Sequence, residues 1–147
     1  MLVVISISLL FYVAHYVLLE TENGALLDSV SIIRILIALL FHGNLSLTLL
    51  CYSMPIIVFF IHHESLYTSL SVSVAALLNT HASFRIHPQS MRFFNALSSP
   101  FWFYYNYHIQ SYPGMCGDVI GGTVALVGLL YYSNVFRDIK RQNLTKK

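Results

Sequence analysis

Six apolar stretches follow one another along the chain. Leu2–Leu19 carries no charge, and Ser29–Phe41 is apolar except for Arg34. Leu45–Ile61 is uncharged and contains Pro55; Leu66–Thr80 is uncharged and rich in Ser and Ala. Phe93–Ile109 is uncharged and heavily aromatic, and Val119–Phe136 is uncharged with Gly121, Gly122 and Gly128. Polar or turn-forming residues flank each one. A helix that crosses a bilayer needs about 20 mostly apolar residues, within a range of about 17 to 25. The pattern therefore predicts about six transmembrane helices, the second reaching full length only if it begins near Gly24. The runs are continuous, whereas a membrane β-barrel needs apolar and polar positions to alternate. Each run could be the core helix of a soluble protein, but six in series leave no polar face for solvent. The expected architecture is all-α, a polytopic membrane helix bundle. Residues 1–136 form one membrane domain, and 137–147 a basic cytoplasmic tail.

Composition agrees. Hydrophobic residues make up 56% of the 147 and charged residues 10%, with mean hydropathy +0.67. A soluble domain is about 25% charged. Disorder, a nucleic-acid-binding arm and an ordinary cytosolic enzyme are excluded, and a net charge of +2 is too small for a polyanion partner. The first expected partner is the lipid bilayer.

The few charges test the topology. If all six runs span, Glu20, Glu22 and Asp28, then Glu64, then Asp118 fall on one side. Arg85, Arg92, Arg137, Lys140, Arg141, Lys146 and Lys147 fall on the other. Basic residues mark the cytoplasmic side, so both termini are expected in the cytoplasm. The apolar run starts at Leu2, with no basic segment before it and no clear cleavage site of a secretory signal.

Two strings resemble each other at a spacing of about 91 residues: Phe11-Tyr12-Val13-Ala14-His15-Tyr16 and Trp102-Phe103-Tyr104-Tyr105-Asn106-Tyr107. A Gly and an Asp follow in each case, Gly24 and Asp28, then Gly114 and Asp118. Both strings lie on helices running outward from the cytoplasm. A parallel repeat of this kind is a device of small transporters; chance likeness between aromatic-rich helices is the alternative.

Ionisable residues inside a bilayer are costly and mark candidate sites. Arg34 is the one charge within an apolar run. It either finds a structural partner or snorkels to the interface, or it faces a solute. Trp102 and Asn106 share a helix face, and His15 joins them if the repeat holds. An indole, an amide and an imidazole suit a small polar solute; the alternative is an aromatic belt at the outer interface with Tyr104, Tyr105, Tyr107 and Tyr112. The candidate binding residues are thus Trp102, Asn106, His15 and Arg34. Pro55 is expected to kink its helix, and Gly121-Gly122 to allow close helix packing. Cys51 and Cys116 have no metal spacing and are read as small buried apolar side chains. His62-His63-Glu64 reads as a polar outer loop, since adjacent histidines point to different faces. No metal, cofactor or catalytic constellation is expected, and the protein is not read as an enzyme.

The second half resembles a known family. Arg92, Phe93, Ser98-Ser99-Pro100-Phe101-Trp102-Phe103-Tyr104-Tyr105-Asn106-Tyr107, Gly121-Gly122 and Asn134-Val135-Phe136-Arg137 follow the order of the bacterial inner membrane protein family YgjV. Ser31-Ile32-Ile33-Arg34 resembles that family's upstream Asn-x-x-Arg, with Ser31 in place of the Asn. The resemblance implies one more helix and a basic loop ahead of Leu2–Leu19. It also implies an acidic residue near the Gly-Gly pair, which Thr123–Leu130 lacks. The family is distantly similar to the PQ-loop and SWEET class, built as two parallel three-helix bundles joined by a linking helix. That implies an incomplete 3+1+3 arrangement here. Pro88-Gln89 spells the class's dipeptide but falls in a basic loop. The family supplies no established activity, and fold likeness alone does not provide one.

The favoured expectation is a facilitator of a small polar solute; the alternative is a non-transporting membrane scaffold or assembly partner. With two helices in the first bundle, one polar face would lie open to lipid. The chain is therefore expected either to form a homo-oligomer, through Gly121, Gly122 and Gly128 or the face bearing His15, or to be a shortened reading of its gene.

Overall fold

The computed structural model describes residues 2–41, 44–61, 65–85 and 87–145, with backbone alone for 2–6, 22, 23 and 134–145. His62-His63-Glu64, Lys146 and Lys147 lie outside the described residues, as do the side chains of Asn134 and Arg137. Among the described residues there are six α-helices and no strand: α1 (Leu2–Leu18), α2 (Glu22–Leu40), α3 (Leu45–Ile61), α4 (Leu66–Ser83), α5 (Pro88–His108) and α6 (Tyr112–Thr145). Three or four residues link each to the next, and such short connections join antiparallel neighbours.

The expected order of helices is present, with boundaries that differ. α2 begins at Glu22 and α6 at Tyr112, so Asp28 and Asp118 are helical and not loop residues. α5 begins at Pro88, which sits in the first turn where its missing N–H costs nothing. Pro88-Gln89 and Arg92 thereby move from the expected basic loop into a helix. The backbone of α6 stays helical to Thr145, through most of the stretch read as a tail. α3 continues through Pro55, and α5 through Pro100.

Burial is inverted relative to a soluble bundle. In α2 the residues Gly24, Leu27, Asp28, Ser31, Arg34, Ile35 and Ala38 are buried. Their spacing is that of one helix face, and it carries the helix's polar groups. The opposite face exposes Leu26, Ile33, Leu36, Leu39 and Leu40. In α4 the buried positions are, apart from Val72, small or hydroxylated: Thr68, Ser69, Ser71, Ser73, Ala75, Ala76, Thr80 and Ala82. Small residues let helix backbones approach closely, and α4 packs against α2, α3 and α5. Meanwhile Phe11, Leu18, Phe60 and Leu130 lie on the outside. Water would penalise such a surface; hydrocarbon would not. The apolar part of the interior is Tyr16, Leu27, Val72, Ala75, Ala76, Trp102 and Tyr105.

By length and hydropathy one described helix qualifies as a span, the Tyr112–Ser133 part of α6. α1 and α3 are apolar but 17 residues long, which gives roughly 26 Å against a hydrocarbon core of about 30 Å. α2 dilutes its apolar content with Glu22, Asp28 and Arg34, and α4 and α5 with hydroxyl and amide residues.

The glycines of α6 divide. A methyl group on Gly122 would lie 3.0 Å from Ser99, and one on Gly128 3.1 Å from Arg92, so both serve contacts with α5 inside the chain. Gly121 meets nothing within 4 Å and borders a cavity. The expected close packing therefore belongs to Gly122 alone of the pair. Cys51 is buried as expected, whereas Cys116 is exposed.

Candidate functional site

Two helix turns match residue for residue. At the end of α1, the Thr21 N–H reaches the Tyr16 carbonyl at 3.0 Å and the Glu20 N–H reaches the Val17 carbonyl at 3.1 Å. At the end of α5, the Ser111 N–H reaches the Asn106 carbonyl at 2.9 Å and the Gln110 N–H reaches the Tyr107 carbonyl at 3.2 Å. Each is a Schellman motif. The residue at its left-handed position is not glycine in either turn: Glu20 and Gln110 both have φ 57°. The equivalent positions Tyr16 and Asn106 are 90 apart in sequence, so the spacing of about 91 is corrected by one residue. At the corrected spacing Tyr12 matches Trp102, and Gly24 with Asp28 matches Gly114 with Asp118.

The glycines do the same work in both hairpins. A methyl group on Gly24 would lie 2.9 Å from Tyr16 Cγ; one on Gly114 would lie 2.5 Å from Asn106 Cγ. Each glycine lets the second helix close onto the residue that caps the first. Tyr16 and Asn106 then meet, the tyrosine hydroxyl donating to Asn106 Oδ1 at 2.8 Å. Asn106 Nδ2 donates to Asp118 Oδ2 at 2.7 Å. Beside this chain, His15 Nε2 lies 2.9 Å from Ser111 Oγ, and Ser111 Oγ accepts the Gly114 N–H at 3.2 Å.

Between these hairpins and α4 lies a cavity of ≈ 540 Å³, within the size of small-molecule sites. Its walls carry Asp28, Arg34, Arg92 and Asp118, with Asn79, Asn95 and Trp102. Arg34 is 2% exposed. Its Nη1 donates to the Ala76 carbonyl at 3.0 Å and to Thr80 Oγ1 at 2.9 Å. Snorkelling is thereby excluded: the guanidinium is held from α4, next to the cavity. Arg92 lies 4.3 Å from the ring centre of Tyr132.

Of the four expected binding residues, Arg34 and Trp102 line the cavity. Trp102 is buried and packs edge-on to Tyr105, so neither belongs to an interfacial belt, unlike the exposed Tyr107 and Tyr112. Asn106 and His15 do not line it. Asn106 stands behind Asp118, and His15 braces the α5–α6 turn. Sequence reasoning missed Asp28, Asp118 and Arg92 because it placed them in loops. The Gly-x-x-x-Asp shared by the two hairpins was the signal that could have found the aspartates.

A helical bundle with an apolar exterior and a charged, cavity-bearing interior defines a membrane protein. The family model Imp-YgjV, described as bacterial inner membrane protein, matches residues 1–135, and the chain belongs to that family. No curated protein and no solved structure matches the chain.

Proposed function

We propose that the chain is a facilitator that carries a small polar solute across the bacterial inner membrane without chemical change of the solute. The observation that supports this reading is the cavity, where four charged side chains and two amides stand inside a bundle whose exterior is apolar. Asp28 and Arg34 are buried and Arg92 and Asp118 half-buried; charge inside a membrane bundle is costly, and contact with a solute is a reason to keep it. Arg34 and Trp102 are the proposed solute contacts, joined by Asp28. Asn106 and His15 are positioning residues that hold Asp118 and the α5–α6 turn.

The matched hairpins are read as a parallel repeat within a 3+1+3 arrangement, with α1 and α2 in the first bundle, α3 linking, and α4 to α6 in the second. The chain is read as multi-pass with both termini in the cytoplasm, on the sorting of Arg85 and the basic residues after Phe136 to one side. Alkaline phosphatase fused after Lys147 is then expected to be inactive, and an active fusion would overturn this orientation.

The function is tested with purified protein in proteoliposomes offered labelled sugars, amino acids and nucleosides. Uptake of at least one class above protein-free vesicles is expected. Absence of uptake across the panel, from protein that elutes as a single folded species, would remove the reading.

A further inference from the structure

Four charged side chains line the cavity, two acidic and two basic. Two of them are already engaged by neutral groups of the protein. Asp118 accepts from Asn106 Nδ2, and Arg92 lies on the face of Tyr132. The other two both belong to α2. Asp28 is 4% exposed and has no side-chain hydrogen bond or ion pair among the described residues. Arg34 has Nη1 held by α4, while its buried Nε has no partner. Six residues of helix set the two about 9 Å apart along the axis, and no ion pair joins them. Asp28 and Arg34 attract each other at a distance, but the carboxylate has no hydrogen bond among the described residues and the guanidinium keeps an unpartnered Nε.

Buried charge without a partner is costly in a poorly polarisable interior. A cationic ligand would satisfy Asp28 and bring a net positive charge among two guanidiniums. An anionic ligand would satisfy Arg34 and bring a net negative charge among two carboxylates. A ligand with both charges satisfies each group and leaves the balance of the cavity unchanged. The rest of the wall is mostly apolar, with Ile35, Met91, Val124 and Trp102, and its neutral polar groups include the amides of Asn79 and Asn95. We infer that the cavity takes a small zwitterion with a neutral, largely apolar body, its ammonium group at Asp28 and its carboxylate at Arg34. This assignment rests on reading the cavity as a solute site.

The test is equilibrium binding to the full chain in detergent, by calorimetry, with three probes of one skeleton. These are L-leucine, isopentylamine, which lacks the carboxylate, and 4-methylpentanoate, which lacks the ammonium. Leucine is expected to bind at least about tenfold more tightly than either half-charged probe. Asp28→Asn is expected to weaken leucine about tenfold or more, because a charge-assisted contact is lost, and to leave 4-methylpentanoate within about twofold. Asp28→Asn keeps the volume of the side chain and breaks no hydrogen bond among the described residues, and its thermal midpoint is checked against the native chain. Arg34→Lys, with its thermal midpoint checked against the native chain, is expected to weaken leucine and leave isopentylamine unchanged.

Equal or tighter binding of the amine or the acid would overturn the inference. So would absence of leucine binding, or leucine binding indifferent to Asp28→Asn. Leucine binding without uptake in proteoliposomes would sustain the ligand class and remove the transport reading. Uptake of a sugar by protein that does not bind leucine would do the reverse.

Discussion

The α1–α2 and α5–α6 hairpins share a turn, a glycine and an aspartate, yet they leave the two aspartates in different states. In the second hairpin Asn106 follows Tyr105 and turns its amide onto Asp118. In the first, the equivalent residue is Tyr16, whose hydroxyl reaches across to Asn106, and Asp28 has no side-chain hydrogen bond among the described residues. Ten residues after the glycine, the first hairpin has Arg34 and the second Val124. The turn, the glycine and the aspartate are therefore common to both hairpins, while the buried arginine and, among the described residues, the aspartate without a hydrogen bond belong to the first.

The capping of the second helix differs too. Ser111 caps α6 by accepting the Gly114 N–H. Thr21, at the same place before α2, makes no such cap and donates its hydroxyl back to the Tyr16 carbonyl at 3.2 Å. The second hairpin is thus the more tightly tied, and substitutions at matched positions should not have matched effects.

The largest effect is expected at the glycines. Gly114→Ala forces a methyl group to 2.5 Å from both Asn106 Cγ and Oδ1, and overpacking of this sort costs about 2–3 kcal/mol. Gly24→Ala meets the Tyr16 ring at 2.9 Å, and the cost should be nearer ~1–2 kcal/mol. Thermal midpoints in detergent compare the two. An equal loss at both sites would break the claimed asymmetry.

The polar chain comes next. Asn106→Leu strands the Asp118 carboxylate and the Tyr16 hydroxyl, at about 2–3 kcal/mol. Tyr16→Phe strands one amide oxygen, at about 1 kcal/mol. In the Asn106→Leu background Tyr16→Phe should cost little, since their bond is already gone. A full additional cost there would show that the pair is not coupled.

A smaller contrast lies at the helix starts. Ser111→Ala removes a cap and should cost about 1 kcal/mol, while Thr21→Ala should cost less than half of that. Hydrogen exchange of the first-turn amides of α6 and α2 would resolve the difference, and greater loss of protection in α2 would contradict it.

The smallest effect is one the hairpins should share. Glu20→Gly and Gln110→Gly each place glycine at φ 57°, where a side chain is disfavoured, and each should raise stability by up to about 1 kcal/mol. Opposite signs at the two turns would mean that their matched backbone geometry does not carry matched strain.

The sequence determined the class of protein and its helical inventory. Long uncharged runs leave an isolated chain in the membrane few options but helices, because every backbone N–H and C=O needs a partner within its own segment. The order of six helices followed from that, while the family and the likeness of the two strings were legible in particular residues. Apolar runs, however, mark where hydrophobicity ends and not where the helix ends. Hydrogen bonding carries α2 back to Glu22 and α6 back to Tyr112, so Asp28 and Asp118 were hidden behind a rule about charge. Arg34 was visible as a candidate because it interrupts an apolar run, and Trp102 because it shares a helix face with Asn106. What those residues touch was decided by packing. Gly24 and Gly114 bring the second helix of each hairpin against the first, and the small residues of α4 admit Arg34 to its backbone carbonyl. Only that convergence separates the side chains that line the cavity, Arg34 and Trp102, from those that stand behind it, Asn106 and His15. A one-dimensional pattern records which faces are apolar. It cannot record which polar groups find one another inside, because those partners lie on other helices, as far as 90 residues away in the case of Tyr16 and Asn106.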